Sequence, residues 1–492
     1  FESRYVLTKG VLPPDRWFAA EQREVPMALQ PEHQRLESLH PTLARTWRRI
    51  STNFWFLPSM LTVAALVIAP ALVQLDEHLQ ATGQSTDWLD WVYGGGLPGA
   101  RRLLSAIATA MMAIATVMFS GQTTALTFIG QEYGSWLLRN FLADRRNQLA
   151  FGSYISTFVY ALMVLRTIHK DPDGAPVPHL ALSFAIVLAM AGLGLLIYSM
   201  YHISRFLQSS TIINYAGKDL ADTIRRLTLP AGSKSSRPTA WPAPDSTGLP
   251  VPAPTDGYVQ YVDEGRLVKL CRQSQGRVVL ERQVGDFVIA GAPLAILFVQ
   301  TAPAPSLVDE IAATIVLGEQ PSIEQDLRYA FNQLVQVALR ASSTDRNDVL
   351  TATMCVDRMG AALCMLARRD PAHDVRCDAA GAPRVLTRGM NFSDAVDWCI
   401  SPFRESREPS IPLLIHILES LPVVGACVRR EEDRQALRRE AQSVAETAGA
   451  EATTESSCER INQAYQNVSR ALGGSPSDLA SRRLKEDRAP TP

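Results

Sequence analysis

Ser105, Thr109, Thr116, Ser120, Thr123 and Thr127 recur at intervals of three, four or seven residues inside an otherwise apolar stretch. That spacing places six hydroxyls along one stripe of a helix. In lipid, two roles fit such a stripe. It can glue helices together beside the small residues Ala106, Ala108, Ala110 and Gly121. It can also line a watery path, with the helix repeated around an oligomer axis. A second polar group is Asp345, Arg346, Asn347 and Asp348, set between two apolar helical repeats, with Asp326 and Asp357 on the flanking helices able to join it. Residues of these types serve as a helix cap and turn, or as a site for an ion, a small ligand or a partner.

Catalytic chemistry finds less support. The sequence carries no Walker loop, GxSxG, HExxH or Rossmann fingerprint. Its 8 histidines lack metal-ligand spacing. The 7 cysteines (271, 355, 364, 377, 399, 427 and 458) are odd in number and form no CxxC, which argues against a disulfide framework or a zinc site. Reduced thiols in a cytosolic domain are expected. Cys355 and Cys364 fall on an apolar helix and read as core. No nucleophile has an evident base, so the expectation leans away from an enzyme, and no metal or cofactor is expected.

The elements that must hold these residues emerge from the distribution of apolar side chains, which the totals hide. With 492 residues, 47% hydrophobic and 20% charged, the chain has the averages of a soluble protein of roughly three domains. Its net charge of −1 gives no reason to expect a nucleic-acid partner. Phe54–Leu75, Leu103–Gly130, Leu149–Leu165 and Leu180–Tyr201, however, contain no charge. Each reads as a helix crossing ~30 Å of hydrocarbon, so the lipid bilayer is the first expected partner. Eleven basic residues flank one side (Arg35, Arg45, Arg48, Arg49, Arg139, Arg145, Arg146, Arg205, Lys218, Arg225 and Arg226) and four the other (Arg101, Arg102, Arg166 and Lys170). The richer side is cytoplasmic. Both termini are therefore expected inside a bacterial inner membrane, with Asp76, Glu77, Trp88 and Trp91 in an outer loop. The connector Gly130–Gln148 reads as an amphipathic helix at the inner leaflet or on the soluble domain. Residues 1–50 hold no apolar core of a signal peptide and are expected as a cytoplasmic extension.

The spans are expected within 51–205, followed by a connector helix and Pro-rich linker over 206–255, with seven prolines from Pro230 to Pro254. A small β unit is expected over 256–300, with strands at Gly257–Val262, Leu267–Cys271, Arg277–Leu280, Asp286–Ile289 and Leu294–Phe298. The segment Val284–Leu297, with its Gly285-Asp286 turn, Gly291 and Pro293, resembles the strand–turn–strand pattern of lipoyl- and biotinyl-like barrel-sandwich domains. Lys269 lacks flanking methionines, which implies a structural barrel without a carried cofactor. Helices are expected across 301–472: one opened by a Ser322/Gln325 capping box, one capped by Asn347, one over Phe392–Phe403 after a hairpin at Gly381–Pro383, and two more from about Ser410 to Gly449 and from Ser456 to Leu472. Arg429–Glu440 reads as a solvated charged helix surface, and 473–492 as a disordered tail.

Taken in order, TNFWFLPSM, LLSAIATAMMAIATVMFSGQTTAL, WLLRNFLADRRNQLAFGSYISTFVYALMVLR, GYVQYVD, GDFVIAGAPLA and QDLRYAFNQLVQVALRASS resemble a bacterial family of predicted membrane proteins known as a domain of unknown function. The resemblance covers about residues 45–445. In ASSTDRNDVLTA, Asn347, Asp348, Thr351 and Ala352 match the family pattern while its usual prolines are missing. The resemblance implies membrane location and no activity. The expected fold class is membrane α-helical (four transmembrane helices), followed by a cytoplasmic α+β region with a small barrel-sandwich-like β unit and a helical unit. The function expected from the stripe is a homo-oligomeric channel or channel-like transport protein. The rival is a membrane-anchored sensor or scaffold.

Overall fold

The computed structural model describes residues 55–82, 96–142, 144–168, 177–229, 241, 248–300, 305–321, 325–343, 345–371, 374–387 and 391–473. The N-terminal extension, Trp88 and Trp91, most of the Pro-rich linker, the Ser322 capping box and nearly all of the tail lie outside these residues. The chain divides into two compact units, one drawn from residues up to 119 and from 142–196, the other from 120–141 and from 197 onward.

Four long helices carry the expected spans: α1 (Phe56–Ala81), α2 (Leu97–Glu132) and, after the short α3 (Ser135–Leu142), α4 (Arg145–Ile168) and α5 (His179–Phe206). All four are long and apolar enough to cross a membrane. Each outruns the uncharged stretch that marks it in sequence. The first passes through Asp76 and Glu77, which the sequence suggested for an outer loop. The 36 residues of α2 rise ~54 Å, well beyond the hydrocarbon thickness. Its residues to 119 fall in the first unit and its last turns in the second.

Within the first unit α1 and α4 pack closely because Gly152 has no side chain. A Cβ there would lie 2.8 Å from Pro58 Cα and 2.9 Å from Leu61 Cδ1. Helix ends are closed by tertiary partners. Both carboxylate oxygens of Asp76 accept backbone N–H groups at the start of α5, from Leu180 (3.1 Å) and Ala181 (3.0 Å). Arg101 Nη2 donates to the carbonyl of Ile168, the last residue of α4 (2.9 Å). Tyr160 Oη donates to the carbonyl of Ala181 (2.9 Å).

In the second unit, after the last turns of α2, α3 and the end of α5, comes α6 (Ser209–Leu227), which is followed by β1 (Thr228–Leu229). Its β region has two small sheets. One orders β2 (Leu249–Pro252), β6 (Pro293–Phe298), β4 (Arg277–Leu280), β10 (Pro383–Leu386) and β9 (Val375–Cys377). The other orders β5 (Phe287–Val288), β3 (Gly257–Val262) and β7 (Ile315–Gly318). They share a core of Val251, Val259, Val278, Leu294 and Leu297 with α7 (Glu264–Gln273) and α8 (Pro305–Ala312). Here the strand expected at Leu267–Cys271 is wrong. Asp263 accepts the Arg266 N–H (2.9 Å) and starts a helix, and Leu267, Leu270 and Cys271 are its buried i, i+3, i+4 face. Lys269 is exposed on that helix. The end of the Pro-rich stretch also contributes a strand, with Val251 fully buried opposite Ala295.

The helical region comprises α9 (Leu327–Ala341), α10 (Val349–Ala367), the short β8 (Asp370–Pro371) paired with β1, α11 (Phe392–Arg404), α12 (Ile411–Cys427), α13 (Glu431–Glu451) and α14 (Glu455–Ala471). The single helix expected from Ser410 to Gly449 is two. Val428 and Arg430 adopt extended backbone between an apolar helix and a charged one. α10 is itself apolar enough to count as a span, yet Ala352, Cys355, Val356, Met359 and Leu363 are buried in the core of this unit. Ile129, Tyr133, Leu137 and Phe141, from the end of α2 and from α3, belong to the same core as Ile213, Leu220 and Phe331.

Candidate functional site

All six stripe hydroxyl residues, Ser105, Thr109, Thr116, Ser120, Thr123 and Thr127, are exposed, as are Ala106, Ala110, Ala113 and Gly121 beside them. The opposite face of α2 supplies Leu104, Ala108, Met111, Ala115 and Met118 to the buried set. The local pattern decides this. The packed side takes Leu104, Met111 and Met118 together with Ala108 and Ala115, and the outside carries the hydroxylated residues together with Met112, Val117, Phe119 and Phe128. Thr109, Thr116 and Thr127 donate to the carbonyls of Ser105, Met112 and Thr123 (2.9, 2.9 and 3.0 Å). Back-bonding of this kind satisfies a hydroxyl without a tertiary partner. At one end of the stripe an open groove of about 860 Å³ is lined by Arg101, Arg102, Ser105, Thr109, Ala113 and Leu165.

The second polar group does not form one site. Asp326 caps α9 at its start, while Asp345, Asn347 and Asp348 follow its end, separated by the helix's 15 residues or ~22 Å of rise. Asp348, rather than Asn347, caps α10 by accepting the Thr351 N–H (3.1 Å). Asn347 turns the chain in the left-handed region (φ 48), which Asn tolerates better than most residues. Asp345 is exposed. Asp357 lies further along α10, paired with His416 Nε2 at 2.8 Å. Arg346, in the middle of this turn, forms an ion pair with Glu132, the last residue of α2. The turn therefore anchors the end of the helix that carries the hydroxyl stripe.

Asp326 itself is buried and occupies a separate hollow of about 440 Å³ with Gln283, Asp286, Arg328, Asn332 and Trp398. Its Oδ1 accepts the Tyr329 N–H (2.9 Å). Its carboxyl also presses on Gly285, whose φ of +96 and missing side chain make room for it. Burial pushes its pKa up to about 6, and Asp286 adds to the rise, against the Tyr329 N–H and Arg328. The neighbouring Gln325 bonds both backbone groups of Val262, through 2.9 and 3.2 Å contacts, tying the start of α9 to β3. This arrangement fastens the β region to the helices. Among the described residues no group of His, Cys, Asp and Glu could hold a metal ion.

Sequence reasoning missed Asp76, Gly152 and Gly285. Each has a tertiary role with no local motif. The Gly285-Asp286 pair was legible only as a turn.

A family model described as "Predicted membrane protein (DUF2254)" matches residues 51–422. The chain belongs to this family. Among curated proteins it is 30% identical over 292 residues to the uncharacterized protein Mb1321c of Mycobacterium bovis and, likewise, to the uncharacterized protein Rv1290c of Mycobacterium tuberculosis. Each match covers 58% of this chain and 56% of the relative, so the chain spans about half the length of the curated relatives it matches. No solved structure matches it. The expected family and the expected order, apolar N-terminal helices followed by helices with small sheets, both hold.

Proposed function

We propose that this member of the family is a homo-oligomeric channel or channel-like transport protein of the bacterial inner membrane, with both termini cytoplasmic and α2 facing the path. The observation that carries the reading is the exposure of all six hydroxyl residues of the Ser105–Thr127 stripe, while Leu104, Met111 and Met118 of the same helix are buried. Around an oligomer axis this face offers hydroxyls to a conducted ion or small solute and small side chains to close packing. No Asp, Glu, Lys, Arg or His interrupts α2 from Leu103 to Gly130, so a charged relay at mid-membrane has no support. The soluble unit would form a cytoplasmic vestibule. The test has two parts. Thr116→Cys is expected to cross-link between copies in native membranes, and purified protein in planar bilayers is expected to conduct, with conductance reduced by Thr116→Leu. A monomer without conductance under voltage, tension or added ligand would defeat the proposal.

A second reading, a membrane-anchored sensor or scaffold, is favoured by the Glu132–Arg346 ion pair and by the burial of Ile129 and Tyr133 in the core of the soluble unit. A ligand-induced change in that unit would then reach α2 through its own last turns. Recovery of a stoichiometric partner, together with silent bilayers, would favour this reading.

A further inference from the structure

Four arginines border one cavity of the helical region, a hollow of about 670 Å³ walled on its apolar side by Leu366 and Phe392. The volume lies within the range of small-molecule sites. Arg369 and Arg438 are held in place by bonds to the protein. Arg369 Nε donates to Thr228 Oγ1 (2.6 Å) and its Nη2 to the Thr228 carbonyl (2.8 Å). Arg438 Nε donates to the Leu472 carbonyl (2.9 Å) and its Nη1 to Glu431 (3.0 Å). The partners of Arg369 are neutral, so its charge is undiminished. Arg430 and Arg439 are exposed at the mouth.

Two helices begin in this wall. Asn391, Phe392 and Ser393 open α11, and Arg430, Glu432 and Asp433 open α13. Neither N-cap residue makes a side-chain capping bond. First-turn N–H groups carry partial positive charge and need acceptors. The opposing charges are Glu431, which pairs with Arg438, and Glu432 and Asp433, so the four arginines exceed them by one. Asp433 is only 9% exposed and accepts no hydrogen bond among the described residues. A solvated helix surface, the expectation for Arg429–Glu440, does not explain the shared cavity.

We propose that this cavity binds a soluble phosphate-bearing small molecule. Its phosphate oxygens accept from Arg430, Arg439 and the first-turn N–H groups of α11 and α13, while a ligand hydroxyl donates to Asp433. Helix N-termini and guanidinium groups are the donors that suit phosphate best. The site is independent of the channel reading, since it needs no conduction and no oligomer.

The test titrates inorganic pyrophosphate into the full chain in nanodiscs of zwitterionic lipid, followed by calorimetry at fixed ionic strength. Saturable binding at one per chain is expected. Arg439→Gln, at an exposed position, should weaken it about tenfold, the loss of one charge-assisted hydrogen bond. Arg429→Gln, adjacent but outside the cavity, should leave it unchanged. Doping the nanodiscs with phosphatidic acid should not alter the affinity. A loss on doping would identify a lipid phosphate as the occupant and overturn the soluble ligand. Absence of saturable binding, or equal binding by wild type, Arg439→Gln and Arg430→Gln, would overturn the site.

Discussion

The carboxylate of Asp76 closes the start of a helix more than a hundred residues away, taking the backbone N–H of Ala181 at 3.0 Å. Its other oxygen takes that of Leu180. A helix beginning in or near lipid has few other acceptors for its first N–H groups. Asp76→Ala is therefore expected to lower stability by about 2 kcal/mol, the cost of orphaned buried donors. Asp76→Asn, which keeps one acceptor oxygen, should lose less. Thermal unfolding in detergent measures both, and equal melting of the two variants would contradict the assignment.

At the crossing of α1 and α4 the decisive residue is Gly152. A β-branched side chain there meets the Pro58 backbone, which cannot yield as a flexible side chain would. Gly152→Val is expected to cost about 1–3 kcal/mol, as overpacked sites do. Pro58 and Leu61 would move apart from α4, which a cysteine pair across the crossing would report as slower disulfide formation. An unchanged rate and an unchanged melting temperature would refute this.

The raised pKa of Asp326 makes a signed prediction. Its folded value is about 6, against ~3.9 for an unfolded aspartate. Between these values the folded chain holds more protons than the unfolded chain, so the contribution is present at low pH and is lost as pH rises through about 6. The shift corresponds to on the order of 3 kcal/mol. Asp326→Asn keeps the capping acceptor and removes the titration. Its stability should fall less than that of wild type between about pH 4 and 6.5 and should exceed it at pH 7.5. Melts of both proteins across this range provide the comparison, and parallel curves would remove the argument.

Thiol reactivity separates buried from accessible cysteines. Burial pushes the Cys271 and Cys355 thiols up to about 12 and raises Cys399 well above the ordinary range. Only the thiolate reacts quickly. Brief iodoacetamide treatment of the native protein should modify Cys377 and Cys458, which are partly exposed, and spare the other three until unfolding. Mass spectrometry of the peptides reads the order, and early labelling of Cys399 would contradict the packing of α11.

Much of this architecture is legible along the chain. Uncharged runs mark the four membrane helices, because crossing hydrocarbon demands length without charge. The helical spacing of Ser105 to Thr127 defines the stripe, and Gly257–Val262 and Arg277–Leu280 appear as the strands they are. Leu267–Cys271 was misread because five residues of LVKLC satisfy both periods, and the cap from Asp263 settles the matter. Asp326 and Asp348 were grouped by their place in sequence, although the rigid length of α9 holds them apart.

By itself, then, the sequence determined the four N-terminal apolar helices, the helical face that carries hydroxyls and the order of the two structural halves, since composition and periodicity are local properties. Only the tertiary structure decided that the stripe faces outward, that Asp76 caps α5, that Gly285 shelters Asp326 and that Arg369, beyond the end of α10, and Arg430, Arg438 and Arg439, at the start of α13 and along it, border one cavity. Those relations join residues far apart in the chain, and the physical reason is packing. A buried donor, charge or close approach acquires its partner only when the elements meet, and no spacing within either element records which partner that will be.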